Sequence, residues 1–580
     1  MKLHSFYVVL ALGFVCAVIF SQTRHFGLLT GDDNFNILYN PYLRPLDIMN
    51  LMRIWSGFYL KLYIPVTLTT WAILGKIALV TSGVPGAFLF HAANVILHWL
   101  NGVLVFTLLR SILKTPSVNN PPGRHPDFIA LLGALLFVCH PLQAVTVAWV
   151  TGLKDVLSAS FGLLALHALL RADIQLRRKD SEYTLELQSY GMYLAASAAF
   201  ALSVLSKPNM IVLPFLGVLL GAVVKKDWRG CLIATAPWLA AGIILTLLTA
   251  EYQAELNPGT LAPPWVRPFA ALDAISFYIK KTILPHPLPH EYGDRLTEVR
   301  RHAAPFWLDA AGSAVFLAAL VRLRRRMPQF CAGFFFAVAA LLPILGFVPY
   351  THQQFCDVAN RYMYFPMVGV SLCFASLLRS IRGAGVLAAA TALIMAFTAL
   401  SYKKVQTFAN DDVFYGEVLR YDPGNHFATG NLSTSLLRRG KLDEALHLAL
   451  DDFRRNPWPP RSLYVAIEAL LALGRSTEAV MYLKDFAKKY GDTAELHFNL
   501  GHVLILSGNW QAGVDELQRA GRSNPQMTRM SPPDFISEFL DLRREKISTQ
   551  GLLQASQAAP HFRSLQLLLE LSKNGRDERI

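Results

Sequence analysis

Apolar runs approaching the width of a bilayer recur from Phe6 to Leu400. A spanning helix needs about 20 mostly apolar residues, because hydrocarbon cannot satisfy a bare backbone. The runs fall at Phe6–Phe20, Pro85–Leu109, Phe128–Cys139, Gly152–Leu170, Tyr190–Leu205, Met210–Val224, Leu232–Thr249, Phe306–Val321, Phe330–Val348, Tyr364–Leu378 and Val386–Leu400. They predict about eleven spanning helices, the shorter ones extending into flanking polar residues. Charged residues make up 16% of the 580, against about 25% in a soluble domain, and mean hydropathy is +0.35. One soluble globular protein, a collagen and a disordered chain are thereby excluded. The length allows three or four units of about 150 residues.

The net charge of +14 suggests nucleic acid in a soluble protein. Here the cations flank apolar runs, so cytoplasmic loop bias explains them and no nucleic-acid partner is expected. With the N-terminus inside and eleven crossings, five basic clusters fall in cytoplasmic loops. They are Arg110/Lys114/Arg124, Arg171/Arg177/Arg178/Lys179, Lys225/Lys226/Arg229, Arg322/Arg324/Arg325/Arg326 and Arg379/Arg382. A further crossing over 62–81 would flip the next three outside. The first run resembles a secretion signal, but Ser21-Gln22-Thr23-Arg24 is a poor cleavage site, so a retained helix is expected. Two stretches are not expected to cross. Ile48, Leu51, Met52, Trp55, Tyr59 and Leu62 share one helical face, as in an interfacial helix. Over Phe269–Leu284, Asp273, Ser276 and Lys280 form a polar stripe, and burying Asp273 or Lys280 in mid-bilayer costs about 2.5–3.5 kcal/mol each unless paired. Six cysteines without a CxxC pair argue against zinc and dithiol chemistry; only Cys356 sits in a polar loop.

Beyond Lys403 the composition changes, and one pattern occurs three times at a 34-residue period. Gly440, Gly474 and Gly508 hold one position, Ala445, Ala479 and Gly513 another, and Leu436, Leu470 and Leu504 a third. Such a period, with a glycine turn and a small residue five later, resembles tetratricopeptide repeats. The expected organisation is all-α. It has a membrane helix bundle over 1–402, a linker over 403–425, three repeats as an α-solenoid over 426–527, and a capping helix and frayed tail over 528–580.

Several constellations can carry chemistry. Asp32 and Asp33 follow the first helix in Gly31-Asp32-Asp33-Asn34, which also suits a solvated turn. His91, Asn94, His98 and Asn101 share one helix face, which suits a cavity or interhelical hydrogen bonding. His140, Lys154, Asp155, Lys207, Arg361 and Tyr362 lie at expected outer helix ends, where interfacial anchoring is the plainer reading of Tyr362 and Tyr364. A cavity open to the outside and to lipid would need such residues.

The order of these elements carries a resemblance over nearly the whole chain. The acid pair, FHAANVILHWLNGVL, HPLQAVTVAWVTGLKDVLSASFGLLAL, SKPNMIVLPFLGVLL, LPHPLPHEY, NRYMYFPMVGV and then the repeats resemble the transmembrane and tetratricopeptide-repeat O-mannosyltransferase-like family, with its bacterial relatives, of the C-type glycosyltransferase superfamily. The resemblance implies transfer of a sugar, such as mannose, from a polyprenyl-phosphate donor in the membrane lipid to Ser or Thr of a secreted or envelope protein. Asp32 or Asp33 would serve as the acceptor's base, or hold magnesium or manganese. Arg361, then Lys207, would meet the lipid phosphate. His140-Pro141 and Lys154-Asp155 would match the family's outer-loop segment, with His91, His98 and Tyr362 as further cavity candidates. Two positions depart from the family, Pro208 after Lys207 and Asn360 before Arg361, where carboxylates are common. The repeats would bind the acceptor protein. The implied location is a bacterial inner membrane with periplasmic repeats, the alternative being an endoplasmic-reticulum membrane with lumenal ones. The readings from other classes are a non-enzymatic repeat scaffold and a transporter; the latter lacks internal symmetry in the membrane half.

Overall fold

A computed structural model describes residues 3–82, 86–115, 125–172, 174–179, 182–187, 190–224, 227–252, 263–292, 303–347, 357–381, 383–457, 461–491, 493–530 and 549–569. Cys356, Arg124, Lys225, Lys226 and Arg382 lie outside them, as do residues 531–548 and 570–580 of the expected cap and tail. The chain divides into Met1–Glu417 and Val418–Ile580.

Among the described residues, the regular structure of the first unit is helical apart from one hairpin. Its helices begin with α1 (Leu3–Phe20), α2 (Ile48–Ser56), α3 (Pro65–Ser82), α4 (Phe88–Lys114), α5 (Pro126–Cys139), α6 (Pro141–Ala148) and α7 (Leu153–Arg171). The hairpin follows, β1 (Ile174–Lys179) antiparallel to β2 (Glu182–Leu187), with Ile174 opposite Leu187. Then come α8 (Tyr190–Ser206), α9 (Leu213–Val224), α10 (Trp228–Tyr252), α11 (Arg267–Ile283), α12 (Ala303–Leu323), α13 (Pro328–Leu341), α14 (Met367–Ser380) and α15 (Ala384–Gln406). Helix α16 (Asp411–Tyr421) runs across the boundary. Residues expected in a linker, from Lys404 to Glu417, therefore belong with the membrane-type unit.

Among the described residues, six helices are long and apolar enough to cross a membrane: Phe6–His25, Phe88–Lys114, Val150–Arg171, Trp228–Leu245, Ala304–Leu323 and Ala384–Gln406. The α5–α6 pair, bent by 55° at His140-Pro141, has the geometry of a broken span or a re-entrant loop, and four apolar helices of 10–17 residues accompany it. Phe14, Val315, Leu308 and Met395 lie exposed on these helices. Such apolar faces are stable only against hydrocarbon, so the chain is a membrane protein. Helix α2 begins with Asp47 accepting the Asn50 N–H at 2.8 Å, a side-chain N-cap. It buries Ile54 and exposes Ile48, Met49, Met52 and Trp55 on one face, but it ends at Ser56, so Tyr59 and Leu62, expected on the same helical face, lie beyond it in an isolated antiparallel bridge. Over 62–81, which was not expected to cross, stands the 18-residue helix α3. On α11, Asp273 is buried, and Lys280 pairs with Asp309 of α12 at 2.6 Å.

The second unit holds helix pairs α17 (His426–Arg438) and α18 (Leu442–Arg455), α19 (Arg461–Ala472) and α20 (Ser476–Tyr490), and α21 (Ala494–Leu506) and α22 (Trp510–Ser523), followed by α23 (Thr549–Ala558). Each pair turns at the repeated glycine, whose φ is +75°, +79° and +89° at Gly440, Gly474 and Gly508. The same cap closes each first helix. The N–H after the glycine (Lys441, Arg475, Asn509) donates to the carbonyl of Leu436, Leu470 and Leu504. That 6→1 bond needs a left-handed residue, which explains the repeated glycine, while Leu436, Leu470 and Leu504 bury their side chains in the core. Ala445 and Ala479 are fully buried. A Cβ on Gly513 would stand 2.6 Å from the Gly501 carbonyl, so the third pair packs too closely for alanine. Leu552, Ala555 and Phe562 close the end of this core, where a cap was expected.

Candidate functional site

The loop after α1 separates its two carboxylates. Asp32 is exposed and its carboxylate has no hydrogen bond among the described residues, whereas Asp33 is 1% exposed. One Asp33 oxygen accepts the Leu29 N–H at 3.0 Å and the other the Thr151 N–H at 3.2 Å. Burial, reinforced by the charge of Asp32 and opposed by these N–H groups, pushes the Asp33 carboxyl up to about 7. Thr151 lies in the tight turn Val150–Gly152 leading into α7. A Cβ on Gly152 would stand 1.9 Å from the Thr146 carbonyl, so that turn admits glycine alone.

Downstream of the turn, Asp155 sits in the first turn of α7 and forms a buried ion pair with Lys207, which follows α8. The second oxygen of Asp155, Oδ2, is buried without a partner among the described residues. The pair lines a pocket of about 360 Å³, open mouth included, with Asn209, Tyr362 and Phe365. Lys207 lies 5.8 Å over the Tyr362 ring, and the Arg361 guanidinium stands 5.2 Å from that ring and 5.7 Å from the Trp149 ring. Burial pushes the Lys207 ammonium below its ordinary pKa; Asp155 opposes this, and the charges of Lys154 and Arg361 add to it. Lys154 and Arg361 thus act on Lys207 beside its carboxylate, a set of cations suited to an anionic ligand.

The other sequence candidates play packing roles. His98 is fully buried, with Nδ1 2.9 Å from the Tyr364 hydroxyl and Nε2 3.2 Å from the Val138 carbonyl. Asn101 donates to Tyr364 and Val156, Asn94 to the Trp149 carbonyl, and His91 Nε2 meets the Gly27 carbonyl at 3.3 Å. The stripe is therefore interhelical hydrogen bonding, and none of the four lines the pocket. His140 caps α6 through Nδ1, which accepts the Leu142 N–H, and its Nε2 donates to the Thr282 carbonyl. It holds the break in the α5–α6 pair and does not line the pocket either. Asn360 accepts the Tyr292 hydroxyl at 2.7 Å and donates to the Pro289 carbonyl at 2.8 Å. Its amide needs both an acceptor and a donor, which a carboxylate would not supply. Each Asp33 oxygen accepts one backbone N–H, and among the described residues no group of three His, Cys, Asp or Glu side chains is placed to hold a metal ion.

Sequence reading missed the support of this loop. Thr30 is bound by Asp411 and Tyr415 of α16, and Glu417 lies 2.7 Å from both His290 and Lys404. The available signal was Asp411-Asp412 directly after the last long apolar helix, mirroring Asp32-Asp33 after the first. No protein-family model matches the chain, and no curated protein matches it.

Proposed function

We propose that the chain is a membrane glycosyltransferase of the C-type superfamily, transferring a sugar from a polyprenyl-phosphate donor to Ser or Thr hydroxyls of secreted or envelope proteins. The observation that carries this reading is the segment Trp149–Asp155. It touches Arg361 through Trp149, holds the acid loop through Thr151, and pairs with Lys207 through Asp155. An exposed carboxylate and a cation cluster are thereby tied to one rigid turn. Asp32 takes the proton of the acceptor hydroxyl as its oxygen bonds to the anomeric carbon. The bond from that carbon to the phosphate oxygen breaks, and its electron pair leaves with the lipid phosphate. Lys154, Lys207 and Arg361 offset the released charge. The direct test is purified protein with polyprenyl-phosphate mannose and a Ser/Thr peptide, with mass spectrometry of the peptide. No transfer from this or any other polyprenyl-phosphate sugar would defeat the reading.

Arg361 is assigned to the phosphate because a guanidinium can bind two phosphate oxygens at once and stack on the Trp149 and Tyr362 rings. Arg361→Ala should raise the donor KM about 10–100-fold, the worth of one or two charge-assisted hydrogen bonds. Arg361→Lys should restore only part. Equal donor KM in all three proteins would remove Arg361 from the site.

Six long helices, one bent pair and four shorter apolar helices among the described residues are compatible with the eleven crossings that the basic loop clusters suggest. We therefore place the N-terminus in the cytoplasm of a bacterial inner membrane and the second unit in the periplasm. The three glycine-capped helix pairs support tetratricopeptide repeats, whose stacked pairs suit an extended acceptor peptide. Asp411, Tyr415 and Glu417 belong with the first unit, so a clean truncation falls after Gly424. A reporter active only outside the cytoplasm, fused there, should be active; activity of a cytoplasmic reporter instead would reverse the topology. The truncated protein should glycosylate a short peptide at high concentration and lose most transfer to a full protein acceptor. Undiminished transfer to the protein acceptor would end the recruitment idea.

A further inference from the structure

Helix α16 grips the backbone immediately before Asp32. The Thr30 N–H donates to Asp411 Oδ1 at 2.8 Å, and the Thr30 hydroxyl donates to Asp411 Oδ2 at 2.6 Å. The Tyr415 hydroxyl donates to the Thr30 carbonyl. Asp411 and Tyr415 are four residues apart and so share one helix face. Every polar group of Thr30 is thus bound by that face, across 381 residues of sequence. Next comes Gly31 at φ +100°, then Asp32, then Asp33 tied to Leu29 and Thr151. The helix is itself fixed. Glu417 lies 2.7 Å from Lys404 Nζ on α15 and from His290 Nε2, and His290 stacks on Phe414 with centroids 4.0 Å apart. The flanks of Asp32 are therefore pinned from two sides, while its own carboxylate is left exposed.

From this geometry we infer that Asp411 and Tyr415 are positioning residues, which hold the backbone of Thr30 so that Asp32 faces the acceptor hydroxyl. The inference rests on the assignment of Asp32 as base. Neither residue touches a reacting atom. Their effect falls on kcat, because misplacing a base by about 1 Å costs on the order of 10²-fold while donor binding at the cation cluster is undisturbed.

The test uses the full chain in detergent or nanodiscs with polyprenyl-phosphate mannose and a Ser/Thr peptide. Asp411→Ala should lower kcat about 10–100-fold with the donor KM unchanged. Asp411→Asn should restore most of it, because an amide can still accept the Thr30 N–H and donate to the Thr30 hydroxyl oxygen. Tyr415→Phe, which removes one hydroxyl, should give a smaller loss and serves if Asp411→Ala does not fold. Amide exchange over residues 29–34 gives a reading independent of activity. It should quicken at least tenfold in Asp411→Ala and Tyr415→Phe, and little in Asp411→Asn. Unchanged exchange in the first two, or a kcat equal to wild type, overturns the brace. A wild-type protein that transfers no sugar while exchange responds as stated overturns the glycosyltransferase reading and leaves the brace standing.

Discussion

Asp32→Asn should lower transfer about 10²–10⁴-fold, the range typical of a lost general base, with the protein still folded and donor binding intact. The separation of fold from chemistry follows from the loop. The Asp32 carboxylate is exposed and unbonded among the described residues, so an amide there breaks no contact. Asp33→Asn should behave differently. Two backbone N–H groups converge on that carboxylate, and an amide offers one oxygen. One buried N–H is left unsatisfied, at about 1–3 kcal/mol, so stability and loop order fall together. Stability should also respond to pH through Asp33. Its folded pKa is raised to about 7 from 3.8, so the folded state holds a proton that the unfolded chain releases. That contribution is complete below about pH 4 and lost as pH rises through about 7. Wild type should therefore lose stability from pH 5 to 8 relative to Asp33→Asn, which cannot titrate. Near-normal turnover by Asp32→Asn would remove it as the base, and parallel pH trends in the two proteins would refute the account of Asp33.

The membrane character was legible because a bilayer imposes a minimum length on a crossing, and a run such as Ala384–Gln406 states that length outright. The helix pairs were legible because a left-handed turn leaves a mark at one position, glycine, every 34 residues. The His91–Asn101 stripe was half legible. Helical spacing shows which side faces inward, but packed interior and cavity both require a polar inward face, and the Tyr364 hydroxyl that binds His98 and Asn101 lies more than 260 residues away. The division of labour between Asp32 and Asp33 was not legible. It depends on Thr151, whose N–H points at Asp33 only because Gly152 lets the chain turn against Thr146. Helix α3 was set aside for charge parity; its 18-residue length shows that loop bias constrains crossings without excluding a helix.

The second large effect is expected at the buried pair of Asp155 and Lys207, whose two roles can be pulled apart. Both side chains are largely buried, and Lys207 lies over the Tyr362 ring. Removing one partner of such a pair costs about 3–5 kcal/mol, because the other charge stays buried and uncompensated. Lys207→Ala should therefore lower the unfolding temperature and abolish use of polyprenyl-phosphate mannose together, which alone does not tell structure from recognition. Replacing both partners by apolar residues of similar size, as in Asp155→Leu with Lys207→Met, removes the uncompensated charge and should recover most of the stability. Donor use should not return, since a cation facing the phosphate is still missing. Asp155→Asn supplies the opposite arm. It removes the carboxylate paired with Lys207 and leaves Lys207 facing the charges of Lys154 and Arg361, whose repulsion destabilises the ligand-free protein. A phosphate relieves that repulsion, so the donor should raise the unfolding temperature of Asp155→Asn more than that of wild type. If the apolar double variant binds donor as wild type does, Lys207 serves the fold alone. If the donor stabilises Asp155→Asn no more than wild type, the phosphate does not bind among these cations.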